Sequence, residues 1–158
     1  MFDDLRDLYQ EVILDHGRRP RHAGRLAAFD ASAKGDNPMC GDRVEVFVHL
    51  APDGTIADLG FEARGCAISV ASADLMAEVA RGRTPDAARA LFARFSEMVR
   101  TGEGADDPEL ERLAPLAGVH EFPSRIKCAT LPWHAMAAAL DAAKDAAKDA
   151  AAKETGRG

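Results

Sequence analysis

An α+β domain is predicted for this 158-residue chain, a small antiparallel sheet (a hairpin plus a short strand) packed against several helices. Three observations carry that expectation: helical spacing of apolar residues at the N-terminus, one stretch of strict alternation, and helical spacing again over the second half. Leu5, Leu8, Tyr9, Val12 and Ile13 fall at i, i+3, i+4, i+7 and i+8, which defines an amphipathic helix. Gly17 and Pro20 should end it near His16. Residues 17–42 are rich in glycine, proline and polar groups, so they read as loop with at most a short strand near Leu26–Phe29.

The hairpin follows. Val44, Val46, Val48 and Leu50 alternate with Arg43, Glu45, Phe47 and His49; Pro52-Asp53-Gly54 turns the chain; Leu59, Phe61 and Ala63 alternate on the return. Phe47 on the nominally polar side implies partial cover on both faces. From Ala67 to Arg81 the spacing becomes helical, with Ile68, Ala71, Leu75, Met76 and Val79 on one side. Thr84-Pro85 reads as the N-cap and first residue of another helix. Asp107-Pro108 opens a shorter one that Gly118 ends, and a last helix begins near Ser124 or Thr130. Pro132 obscures that start, because proline suits a first turn and disrupts an interior. One domain is expected over residues 1–140, with 141–158 as an alanine- and lysine-rich tail, a solvated helical or fraying extension.

Composition narrows the functional class. The net charge of −6 argues against a general nucleic-acid binder, which needs a basic face to displace counterions. The apolar runs fall short of the ~18–20 residues a membrane span requires. The opening MFDDLRDLYQ lacks the basic flank and apolar stretch of a secretory signal, so the cytosol is the expected compartment. A local basic cluster at Arg18, Arg19, Arg21 and His22 could dock an acidic protein surface or simply be a solvated loop. Three cysteines cannot complete a disulfide framework, and in a reducing compartment a few cysteines more often bind metal or react.

Each cysteine has a distinctive setting. Cys40-Gly41-Asp42 places a thiolate and a carboxylate two residues apart on a loop ahead of the hairpin. Cys66 stands where a strand becomes a helix, and the unpaired N–H groups of a helix start favour a thiolate. Cys128 has Arg125 and Lys127 nearby, two cations that favour the anion. Taken singly, any of the three could be a small buried side chain. Together, Cys40, Asp42, Cys66 and Cys128 make the four donors that zinc prefers, although no CxxC spacing is present. The histidines (His16, His22, His49, His120 and His134) are weaker candidates; His16 and His22 flank the basic loop and suit docking or capping.

The segments LYQEVILDHGRRPRHAG (8–24), NPMCGD (37–42), FEARGCAISVASADLM (61–76) and FPSRIKCATLPW (122–133) resemble the SufU-type members of the U-type, or IscU-like, iron–sulfur cluster assembly family. The resemblance implies an IscU-like fold and a zinc site built from Cys40, Asp42, Cys66 and Cys128. It implies a zinc-dependent sulfurtransferase that accepts sulfane sulfur from a pyridoxal-phosphate cysteine desulfurase of the SufS type, with Cys40 at the acceptor position. In that family a partner histidine replaces this cysteine on zinc, and the freed thiolate attacks the persulfide. The sister IscU scaffolds carry histidine before the third cysteine, where this chain has Lys127; they also lack a stretch corresponding to Thr101–Gly118. A scaffold that assembles a cluster on the three cysteines is the alternative, and a zinc-stabilised adaptor a further one. A downstream scaffold could receive the sulfur. Arg125 and Lys127 are candidates for offsetting the negative charge of the donors.

Overall fold

The computed structural model describes residues 2–38 and 41–156, with side chains for 9–38 and 41–145. Helix α1 (Phe2–Arg18) leads into strand β1 (Ala31–Asn37), then β2 (Asp42–Leu50), β3 (Ile56–Arg64) and α2 (Ala67–Ala80). Helix α3 (Pro85–Thr101), a 3-10 stretch (Pro108–Glu121) and helix α4 (Pro123–Gly156) complete the order. The strands form one antiparallel sheet in the order β1-β2-β3. The α+β architecture is as the sequence predicts.

Alternation sets the register of the hairpin. Val44, Val46 and Val48 pair with Ala63, Phe61 and Leu59, so one face carries an apolar patch onto which the helices pack. Helix α4 lies along β1 and β2, and α2 lies along α4 and β3. Between α2 and α4 the buried Ser72 hydroxyl donates to the Ala129 carbonyl at 2.5 Å and accepts from the Trp133 indole N–H at 3.1 Å. Trp133 stacks on Phe95 of α3, with ring centroids 4.7 Å apart.

The strand expected near Leu26–Phe29 lies elsewhere. Leu26 and Phe29 instead fold over the outer face of the sheet: Leu26 reaches Gly60, and the Phe29 ring meets Phe47 edge-on at 5.1 Å. Their apolar surface serves as a cover, which is why Phe47 is buried on a face that alternation marks as polar. The strand itself is Ala31–Asn37, whose residues have little intrinsic β preference and which forms by pairing along β2.

The segment after Asp107 also differs from the ordinary helix expected there. Pro115 lacks an N–H and disfavours an i→i−4 ladder, and the stretch runs as 3-10 turns to Glu121. Leu110, Leu113, Leu116 and Val119, spaced every third residue, are all buried, as a helix with three residues per turn requires. Helix α1 continues two residues past His16 to Arg18. Helix α4 starts at Pro123 and keeps Pro132 in its interior, where proline cannot donate to the carbonyl of Cys128 four residues earlier. The helix runs on beyond residue 140: Ala143 is buried and Asp141 pairs with Arg89. Among the described residues no helix is long and apolar enough to cross a membrane.

Candidate metal centre

Three of the four expected donors meet at one end of the sheet. Asp42 is the first residue of β2, Cys66 caps α2, and Cys128 sits in the second turn of α4. One ligand atom from each lies within 4.8 Å of the others. Asp42 and Cys128 are almost fully buried, and Cys66 is half-buried. Cys40 lies outside the described residues. On either side of residues 39–40, the Gly41 N–H donates to the Asn37 carbonyl at 2.8 Å, joining the start of β2 to the end of β1.

Local backbone chemistry explains the convergence. Gly65 has φ +148°, a conformation few side chains tolerate, and it lets β3 turn into α2 directly over Asp42. The Cys66 N–H then donates to Asp42 Oδ1 at 2.9 Å. The Cys66 side chain makes no capping hydrogen bond of its own, and the Asp42 carboxylate satisfies an N–H at the helix start. The other oxygen, Oδ2, lies 3.9 Å from Cys66 Sγ. Across the cluster the Arg125 guanidinium stands beside both sulfurs; the charge of Cys66 first, and then a hydrogen bond to Cys128, raise its pKa above the usual arginine value. Lys127 is exposed, and among the described residues its side chain makes no hydrogen bond or ion pair.

The donor set fits a zinc ion. Tetrahedral zinc with sulfur at ~2.3 Å and oxygen at ~2.0 Å places neighbouring donors about 3.5–3.8 Å apart. The Cys66–Asp42 separation already approaches that value, and with every donor within 4.8 Å of the others no separation needs to contract by more than about 1 Å. Two thiolates suit zinc or iron, and the oriented carboxylate oxygen suits a hard or borderline ion. The hydrogen bond to Asp42 Oδ1 aims Oδ2 at the cluster, the role outer partners play in metal sites.

Sequence reasoning overlooked Asp74. It is the buried carboxylate of α2: Oδ1 accepts the N–H groups of Arg21 at 2.7 Å and His22 at 2.8 Å, and Oδ2 pairs with His16 Nδ1. His16 therefore ties the end of α1 to α2. The available signal was a single acid within AISVASADLM, a stretch otherwise free of charge, where a carboxylate must be buried with partners.

A small α+β domain with a cysteine- and aspartate-lined centre at one end of its sheet is the class these features define. The profile described as NifU-like N terminal domain matches residues 8–155, and the chain belongs to that family. The iron-sulfur cluster assembly scaffold protein IscU of Streptococcus pyogenes serotype M1 is 41% identical over 136 residues, covering 86% of this chain and 84% of the relative. The zinc-dependent sulfurtransferase SufU of Bacillus subtilis (strain 168) is 39% identical over 133 residues, covering 84% of this chain and 89% of the relative. Among solved structures, a nitrogen-fixing NifU-like protein (N-terminal) from Brucella abortus superposes with a TM-score of 0.79 at 26% identity, covering 89% of this chain and 97% of that one.

Proposed function

We propose that this chain is a zinc-dependent sulfur acceptor of iron–sulfur cluster assembly, taking sulfane sulfur from a SufS-type cysteine desulfurase onto Cys40. The convergence of Asp42, Cys66 and Cys128 beside Arg125 is the observation that carries the reading. Likeness to the Bacillus subtilis sulfurtransferase over most of both chains supports it. The fourth donor is Cys40, two residues before Asp42 in sequence. Zinc, when bound, holds the sulfur donors deprotonated and offsets their charge.

The chain's own groups account for the remainder. Asp42 keeps one oxygen on the Cys66 N–H and turns the other to the cluster, which holds the start of β2 against the start of α2. Arg125 supplies fixed positive charge at the sulfurs, where negative charge accumulates. The Cys40 thiolate attacks the outer sulfur of the partner's persulfide. A sulfur–sulfur bond forms at Cys40 as the partner's breaks, and the partner cysteine leaves as a thiolate. No external oxidant or reductant enters the exchange. The sulfur then passes from Cys40 to a downstream acceptor such as a cluster scaffold.

The alternative reading, a scaffold on which a cluster is assembled, has in its favour the Streptococcus pyogenes relative at 41% identity. One experiment separates the two. Sulfurtransfer predicts stoichiometric zinc and stimulation of a cysteine desulfurase that Cys40→Ala abolishes. A scaffold predicts a stable coloured cluster after anaerobic reconstitution, transferable to an apo-protein, with zinc irrelevant to that transfer. Retention of full stimulation by Cys40→Ala would sink the sulfurtransfer reading.

A further inference from the structure

The buried Asp74 carboxylate does its work on a surface segment. Both oxygens are committed to the last turn of α1 and the loop after it, through His16, the Arg21 N–H and the His22 N–H. A carboxylate with no exposure is tolerated only when fully paired, and here every partner belongs to the basic segment. The same segment touches the metal centre's edge. A Cβ on Gly17 would meet the Cβ of Ala67 at 3.0 Å and its carbonyl oxygen at 3.1 Å, so backbone lies flat on the residue that follows Cys66.

What this anchoring presents is cationic. Arg18 and Arg19 are exposed, with no ion-pair partner among the described residues, whereas Arg21 is engaged by Asp15 at 2.5 Å. Leu14, one helical turn before Arg18, is 42% exposed; among the described residues only Phe122 is a more exposed large apolar side chain. Leu14, Arg18 and Arg19 share one shallow hollow with Glu11 and Asp15. In a chain of net charge −6, two exposed guanidiniums with no ion-pair partner among the described residues, beside an exposed leucine and flanking the Gly17 contact with Ala67, form a local exception.

We infer that Leu14, Arg18 and Arg19 form the docking surface for an acidic, apolar-centred patch on the persulfide-carrying protein. The inference rests on the sulfur-transfer reading above and adds to it the surface that brings the donor to the centre. Charge complementarity of this kind raises encounter rate and fixes orientation. An apolar side chain flanked by arginine has the composition of interface anchors. Holding the loop through Asp74 means less ordering is required at the moment of docking.

The test measures turnover of the source organism's cysteine desulfurase against concentration of the full chain, at low and high salt. Wild type is compared with the Arg18→Glu, Arg19→Glu double variant and with Arg100→Glu on α3. The double variant should raise the KM for the chain about tenfold or more, keep saturating turnover, and flatten the salt dependence. Arg100→Glu should leave KM unchanged, and matching metal content and circular dichroism would exclude misfolding. A double variant with wild-type KM and salt dependence, while Cys40→Ala stays inactive, overturns the docking surface and leaves the functional reading standing. Unchanged KM with lost turnover overturns it too, by placing the arginines in the chemistry. A wild-type chain that fails to stimulate the desulfurase sinks both.

Discussion

Replacing Gly65 with alanine probes the centre through its backbone, without touching a donor. The residue has φ +148°, and an added Cβ would stand 2.7 Å from Asp42 Cγ and 3.0 Å from its Cα, closer than ordinary packing permits. Asp42 is almost fully buried, and Oδ1 holds the Cys66 N–H at 2.9 Å, so the carboxylate cannot withdraw without losing that bond. Backbone strain of about 1–3 kcal/mol adds to about 1.5–3 kcal/mol for a disrupted hydrogen bond to a charged group. The sum is a substantial share of a total stability of about 5–15 kcal/mol. For a domain of this size the melting temperature should fall by roughly 5–20 °C. Thermal unfolding in chelator isolates the strain, and competition with a chromophoric chelator reads zinc affinity, which should drop about tenfold to a hundredfold. Gly54→Ala is the matched control: φ is +89°, but nothing lies within 4 Å of the added Cβ. It should lose a few degrees at most and bind zinc as wild type does. Should Gly65→Ala unfold as Gly54→Ala does, with undiminished zinc affinity, the coupling between this turn and Asp42 is refuted.

Two further substitutions test other parts of the structure. Ser72→Ala leaves the Ala129 carbonyl and the Trp133 indole N–H without the hydroxyl that joins them, and should lower stability by about 2–4 kcal/mol; a denaturant midpoint close to wild type would count against that link. Arg125→Gln should retain zinc yet slow persulfide transfer about tenfold or more; unchanged transfer at equal metal content would remove Arg125 from the mechanism.

The hairpin and the helices around it were legible because their apolar residues follow periods of two and 3.6, and the burial of Val46, Phe61 and Met76 obeys those periods. The centre was legible in part. Asp42 and Cys66 flank one hairpin, so topology alone brings them near each other, whereas placing Cys128 required the packing of α4 against β1 and β2. Strand β1 was hidden because Ala31–Asn37 has small and polar side chains and is created by its partner. The 3-10 stretch was misread as ordinary helix because Leu113 and Ala117 also fit a 3.6 period; Pro115 and the spacing from Leu110 to Val119 were the discriminating signs. A lone acid in AISVASADLM marks Asp74 as buried, but its partners could not be read because they are mostly backbone N–H groups, which carry no signature in side-chain identity.

The donors of the centre come from the start of β2, the cap of α2 and the second turn of α4; the first two are 24 residues apart and the third lies far downstream. An ion held there acts as a reversible cross-link between sheet and helices, closing long loops that a denatured chain must reopen. Loading should therefore lengthen the lifetime of the native state as well as deepen its well, and stripping the ion should show first as faster unfolding. A half-assembled chain could not grip the ion, so a filled centre certifies that sheet, α2 and α4 have already docked.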